Sequence, residues 1–186
     1  MPAQHFFSTP IWTFNHPESF SLNYNLLELA GEFKGGFTYF NSNEPAINDL
    51  ETWIKSCIQE AVNELDWHCD NIKLDGRQHP IKPGENDTPH HHPTCYLVAV
   101  YYVQVPKNSG SIMFLDPRGS IIWKDPNART DVQHCSSRPF HKITPTAGTL
   151  IVFPGYLVHT VETNCSDDLR ISIAVNVTLE SQFSIT

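Results

Sequence analysis

The pattern of apolar and polar positions changes period once along the chain. From Asp49 to Leu65 the apolar residues fall at Leu50, Trp53, Ile54, Cys57, Ile58, Ala61, Val62 and Leu65. Steps of three and four place them on one stripe of a helix. Asn48 can cap its N-terminus, with Glu51 three residues on to complete a capping box. A shorter helix is expected over Leu22–Ala30, stopped by Gly31. After Asp66 the texture is different: Asn71–Leu74, Cys95–Val105, Ser111–Leu115, Thr149–Phe153, Leu157–Glu162 and Leu169–Leu179 are rich in Val, Ile, Tyr, Phe and Thr. Turn residues punctuate them, as in Pro106-Lys-Asn-Ser-Gly110 and Pro145-Thr-Ala-Gly148. Short strands at this spacing predict a sandwich or barrel. The expected fold class is mainly β (α+β), a double-stranded β-helix (jelly roll, cupin-like) with N-terminal helices packed on the sheet. One domain is expected over 1–186, with an N-terminal strand and helical layer in 1–70 and the β-helix core in 71–186.

Composition narrows the partners. The 186 residues are 40% hydrophobic and only 17% charged, enough apolar material for one folded core. The formal charge is −8 with no cluster of Lys and Arg, which argues against nucleic acid and against an anionic membrane surface. MPAQHFFSTPIWTF lacks the features of a signal peptide, and no apolar run approaches the ~18 residues of a membrane span. Cys57, Cys69, Cys95, Cys135 and Cys165 are scattered and form no CxxC pair, so reduced thiols and a cytoplasmic location are expected. The glycosylation-like triplets at Asn86, Asn164 and Asn176 read as chance in that setting. Self-association is not decided by the pattern, and a homo-oligomer stays open.

The candidate chemistry begins in DTPHHHPTCYLVAVYY, from Asp87 to Tyr102. Strand alternation turns His90 and His92 one way and His91 the other. Such a pair at a strand start clamps a transition metal, because imidazole suits Fe, Zn, Cu and Ni. His159, in FPGYLVHTV, is the candidate third ligand; a solvated histidine-rich loop is the plainer alternative. His5, His16, His68, His79, His134 and His141 are isolated and read as surface residues. Arg170 lies inside the apolar strand LRISIAVNV, where an unpaired charge is costly. Its planar fork suits a carboxylate, and Ser172 on the same face can add a hydroxyl. Tyr102 adds a phenol, while Tyr101 points to the other face and into packing. An Arg–Asp or Arg–Glu pair within the sheet would satisfy the same charge.

H-x-H, VYYV, SGSIMFLDPR, AGTLIVFPGYLVHTV and RISIAVNV, in this order over roughly residues 83 to 178, resemble the 2-oxoglutarate- and Fe(II)-dependent oxygenases. The likeness is to a bacterial and phage branch with an H-x-H-P signature, and more distantly to the prolyl-hydroxylase-like enzymes; HFFSTPIWTF also looks like the start of that branch. The resemblance implies His90, His92 and His159 as metal ligands. It implies Tyr102, Arg170 and Ser172 as the grip on the distal carboxylate of 2-oxoglutarate. Fe(II), 2-oxoglutarate as co-substrate and O2 would be required, and the implied reaction is hydroxylation of an unactivated C–H bond in a small molecule or peptide side chain. The chain departs from the wider superfamily at His92, where Asp or Glu is usual, so the metal centre would be one unit more positive.

Three neutral imidazoles could also hold zinc. Two other classes remain at this stage: a three-histidine cupin-type metalloenzyme that does not use 2-oxoglutarate, and a non-enzymatic jelly-roll binding module. The turn Asp116–Gly119, Trp123 and the segment Asn127–His141 are expected to flank the barrel mouth. Arg118, Arg129 and Arg138 could meet an anionic substrate there, although solvated loop charges are the plainer reading.

Overall fold

A computed structural model describes residues 8–29, 39–118 and 140–181. The chain runs β1 (Trp12–Asn15), α1 (Ser19–Glu28), a single 3-10 turn at Tyr39–Asn41 and α2 (Pro45–Glu64). It continues through β2 (Asn71–Ile81), β3 (Asp87–His90), β4 (Leu97–Gln104), β5 (Ile112–Leu115), β6 (Phe140–Ile143), β7 (Thr149–Pro154), β8 (His159–Val161) and β9 (Arg170–Glu180). The strands form two antiparallel sheets, a larger one in the order β1-β7-β4-β9-β2 and a smaller one in the order β3-β8-β5-β6. This is the jelly roll that the strand spacing predicts, with the helices on the large sheet.

Period-two alternation divides the side chains of the large sheet between two cores. On the outer face, Leu50, Ile54, Ile58 and Val62 of α2 pack on Ala99, Tyr101 and Val103 of β4 and on Ile171, Ile173, Val175 and Val177 of β9. Between the sheets, Val98 and Tyr102 meet Ile151 and Phe153 of β7, Ile112 and Phe114 of β5, and Leu157. The inner face of β9 is therefore Arg170, Ser172, Ala174 and Asn176. Across β9, Ser172 stands opposite Tyr102 on one side and His79 on the other. Tyr101 packs outward as the alternation requires, its hydroxyl donating to Asn23 Oδ1 at 2.7 Å.

Three local expectations are corrected. α2 starts a turn before Asn48: Pro45 occupies the first turn, where a missing N–H is no loss, and Glu44 takes the cap position without a side-chain cap bond. The cause is Ala46 and Ile47, both buried, which extend the apolar stripe backwards. β2 runs on past Leu74 to Ile81, because its polar residues Arg77 and His79 turn into the barrel rather than ending the strand. β3 ends at His90, so the H-x-H pair closes a strand instead of opening one.

The outer core is tight enough to test by truncation. Ile54 is fully buried, and Ile54→Ala should destabilise the protein by about 2–5 kcal/mol through lost burial and the cavity left behind. Lys55→Ala, which removes only a half-exposed i,i+4 pair with Glu51, should change stability by about 0.5 kcal/mol or less. Urea unfolding of the two variants checks the contrast.

Candidate metal centre

His90 and His159 stand directly opposite each other on β3 and β8. Between Asp87, opposite Val161, and His90, opposite His159, β3 advances three residues while β8 advances two. This is a β-bulge, and the one extra residue turns both Asp87 and His90 to the inner face. Pro89 lies within the irregular step, a place where a missing ladder N–H is tolerated. His92 is beyond the strand and is held by its backbone, the His92 N–H donating to the Gly155 carbonyl at 2.8 Å. Gly155 has to be glycine: a Cβ there would fall on the carbonyl oxygen of Cys95 and come 2.8 Å from that of His92.

The three rings converge. Centroids lie 4.4 Å apart for His90 and His159, 5.3 Å for His90 and His92, and 5.4 Å for His92 and His159. One nitrogen from each lies within 4.8 Å of the others. Each Nδ1 faces an oxygen outside the cluster: Thr88 O at 2.8 Å for His90, Leu157 O at 3.0 Å for His159, and Asn176 Oδ1 at 2.7 Å for His92. Carbonyl and amide oxygens only accept, so each Nδ1 carries its proton and donates. The lone pair is left on Nε2, the form in which imidazole binds a metal. The donor set fits a transition metal. Burial pushes the His159 pKa down to about 4, with the neighbouring imidazoles acting in the same direction and the Leu157 carbonyl against it. Burial also lowers His92. Neutral, metal-ready imidazoles are thus favoured in the fold.

Deeper in the barrel, Arg170 is 1% exposed, and its Nε, Nη1 and Nη2 have no hydrogen-bond partner. The buried Tyr102 hydroxyl faces the same guanidinium, with no well-formed hydrogen bond to it or to any other described group. The guanidinium lies 5.0 Å from the centre of the Tyr102 ring. Burial pushes the Tyr102 phenol up to about 12, against the pull of the Arg170 charge, so it remains an O–H donor. Ser172 Oγ makes only a long bond of 3.4 Å to the His79 carbonyl. No described residue forms the Arg–Asp or Arg–Glu pair that would have satisfied Arg170 within the sheet. A buried cation with no anion in hydrogen-bond contact costs several kcal/mol.

Two inward residues were not anticipated. His79, expected at the surface, is three-quarters buried and its Nε2 meets Asp87 Oδ2 at 2.7 Å, tying β2 to β3. Burial works to raise Asp87, but the His79 bond and the charges of His79, His90 and Arg170 outweigh it and hold the carboxyl low. Asn176 is the second. The signal for His79 was its position two before Ile81 on a long strand; for Asn176 it was the shared alternation with Arg170 and Ser172. His16 is also not free, its ring meeting Trp53 edge-on at 4.7 Å. His68, His91 and His141 are exposed. Arg118 is exposed and folded back on Asp116, in keeping with a solvated loop charge. His5, Trp123, Arg129, His134, Cys135 and Arg138 lie outside the described residues.

Comparison with known proteins agrees with this geometry. The family described as "Putative 2OG-Fe(II) oxygenase" matches residues 79–176. Among solved structures, the chain is similar to a Pseudomonas putida prolyl-4-hydroxylase, at 13% identity and TM-score 0.62, with 94% of this chain and 90% of that one covered. It is similar to SnoN, a non-heme alpha ketoglutarate dependent epimerase from nogalamycin biosynthesis, at 14% identity and TM-score 0.66, covering 91% and 78%. It is also similar to HygX from Streptomyces hygroscopicus, solved with nickel and 2-oxoglutarate bound, at 11% identity and TM-score 0.61, covering 92% and 82%. At these identities the structural likenesses establish the fold. No curated protein matches the chain.

The depressed His159 has a measurable consequence in the metal-free protein. Its folded pKa of about 4 is below the ~6.5 of an unfolded histidine, so unfolding takes up a proton between these values. Stability from this group is therefore complete above pH ~6.5 and is lost as pH falls towards 4, by at most about 1.4 kcal/mol per pH unit. Urea unfolding across that window should show a shallower loss in His159→Gln than in the wild type. Equal slopes would contradict the assignment.

Proposed function

The chain belongs to the 2OG-Fe(II) oxygenase family, and from that premise we propose that His90, His92 and His159 hold Fe(II) while Arg170, Tyr102 and Ser172 hold the far carboxylate of 2-oxoglutarate. The family uses Fe(II), 2-oxoglutarate and O2. When bound, they supply the oxidising power that ordinary side chains lack. The barrel contributes orientation and exclusion of water. Three imidazoles with committed Nδ1 protons give up no proton on taking a metal, and the bulge in β3 sets His90 against His159.

The observation that carries the co-substrate reading is the unpaired, 1% exposed guanidinium of Arg170. Its fork offers two parallel N–H bonds to a carboxylate, the Tyr102 hydroxyl has a proton to add, and Ser172 Oγ could exchange its long bond to the His79 carbonyl for one to the same anion. Ala174 lies between this grip and Asn176 on the inner face and extends no further than its Cβ. Neither a three-histidine metalloenzyme without 2-oxoglutarate nor a non-enzymatic binding module requires a buried carboxylate grip.

For the substrate we propose a small molecule or a peptide side chain, hydroxylated at an unactivated C–H bond. The support is the family's chemistry; the inner-face Arg77 of β2 stands near enough to His92 for its charge to act there. Among the described residues, no helix is long and apolar enough to cross a membrane.

The reading makes opposite predictions for binding and stability at one residue. Arg170→Met should weaken 2-oxoglutarate binding to the Fe(II)-loaded, oxygen-free protein on the order of 100-fold or more, since two charge-assisted hydrogen bonds are lost. The ligand-free protein should be as stable as the wild type or more stable, because an uncompensated buried charge has gone. Calorimetric titration and urea unfolding check the two halves. A destabilised variant with unchanged 2-oxoglutarate affinity would assign Arg170 a structural pair instead.

A further inference from the structure

We propose that Asn176 is a positioning residue that orients the His92 imidazole for the metal and keeps the outer partner of that ligand uncharged. The inference rests on the metal reading above. Its starting point is an asymmetry among the three imidazoles. His90 and His159 donate to main-chain carbonyls two residues away, at Thr88 and Leu157, within the strand or turn that carries each ring. His92 donates to a side chain from the opposite sheet, 84 residues distant. It is also the one ring of the three outside any strand, its backbone held by a bond to the Gly155 carbonyl and by a turn bond from the Cys95 N–H. No ladder fixes its orientation, so the bond to Asn176 does.

The register supports the assignment. Asn176 pairs with Val98 of β4 and Asp75 of β2 in the interior of the large sheet, which makes its Cα position rigid. The inner face of β9 then carries the anion chamber at Arg170 and the partner of a metal ligand at Asn176. Ala174 separates them. One strand sets the spacing between the two subsites.

The chemistry of the acceptor matters as much as its place. A carboxylate opposite the Nδ1 proton would draw that proton and give the imidazole partial anionic character, raising its basicity. An amide oxygen orients the ring without doing so. All three outer acceptors here are neutral, so none of them would offset the charge of a bound metal. Asn176 is the only one of the three that a single substitution can make anionic.

The test uses the full-length protein with Co(II), a metal whose visible bands report coordination, and Fe for the potential. Asn176→Leu, of similar volume and with no acceptor, should weaken Co(II) binding about 10- to 100-fold and alter the band pattern. Asn176→Asp should bind Co(II) at least as tightly as the wild type and lower the Fe(III)/Fe(II) midpoint potential. A merely structural role predicts the reverse for Asp, which would bury a new charge and lose affinity together with Leu. Equal losses in both variants, or no change in either, would overturn the proposal. Should Leu fail to fold, Asp alone decides it: unchanged or weaker affinity with an unchanged potential sinks the idea. If wild type binds no Co(II) and His159→Ala makes no difference, the metal reading itself fails and takes this inference with it; wild-type binding lost in His159→Ala but untouched in both Asn176 variants removes this inference alone.

Discussion

A guanidinium with no partner, sealed from water between two sheets, is the constraint on which the rest of this structure depends. The Tyr102 ring face and the field of the Asp87 carboxylate offset only part of what burying Arg170 costs. Unpaired buried charge opposes the folded state by several kcal/mol, in a protein class whose net stability is about 5–15 kcal/mol. The remainder of the chain has to hold Arg170 in place in spite of that. Tyr102 presents it with a ring face, a favourable surface for a cation, yet leaves its own hydroxyl without a well-formed hydrogen bond. The site is buried and rich in donors.

The large sheet supports this because it is buried on both faces. Outward residues of β4 and β9 lock into the helices, and inward residues are thereby released from the task of stability. A largely apolar outer core, with Leu50, Ile54, Ile58 and Val62 against β4 and β9, offsets the polar load carried inside. The small sheet has a different role. Its strands are short, and its bulge in β3 spends regular pairing to aim two side chains, Asp87 and His90, at the same space. The His79–Asp87 contact then ties the two sheets together where they do not pair strand to strand.

Much of this was legible in the amino-acid sequence, for identifiable reasons. Where alternation is unbroken, as in VAVYYV and RISIAVNV, facing directions follow from counting, and Tyr101, Tyr102, Arg170 and Ser172 all point as counted. The three histidines do meet, although His92 reaches the cluster from a turn rather than by strand alternation. Counting fails where the backbone adds a residue: from His90 the period assigns Thr88, not Asp87, to the inner face, and only the bulge reverses it. His79 was hidden because β2 reads as a short strand when its inward polar residues are taken for a loop. Asn176 was hidden by a chance glycosylation triplet, although it stands in step with Arg170 and Ser172. The start of α2 was misplaced because Asn48 is a good cap in isolation, whereas tertiary burial of Ala46 and Ile47 decides where the helix begins.

The central claim is that one cavity holds a metal on three histidines and a 2-oxoglutarate on Arg170, close enough for the two to touch. Optical titration of the oxygen-free protein with Fe(II) and then 2-oxoglutarate tests it most directly. The account predicts a visible metal-to-ligand charge-transfer band that grows only when both are present. Fe(II) bound with 2-oxoglutarate in excess and no such band would contradict it, and would leave a three-histidine metal site whose chemistry does not pass through this co-substrate.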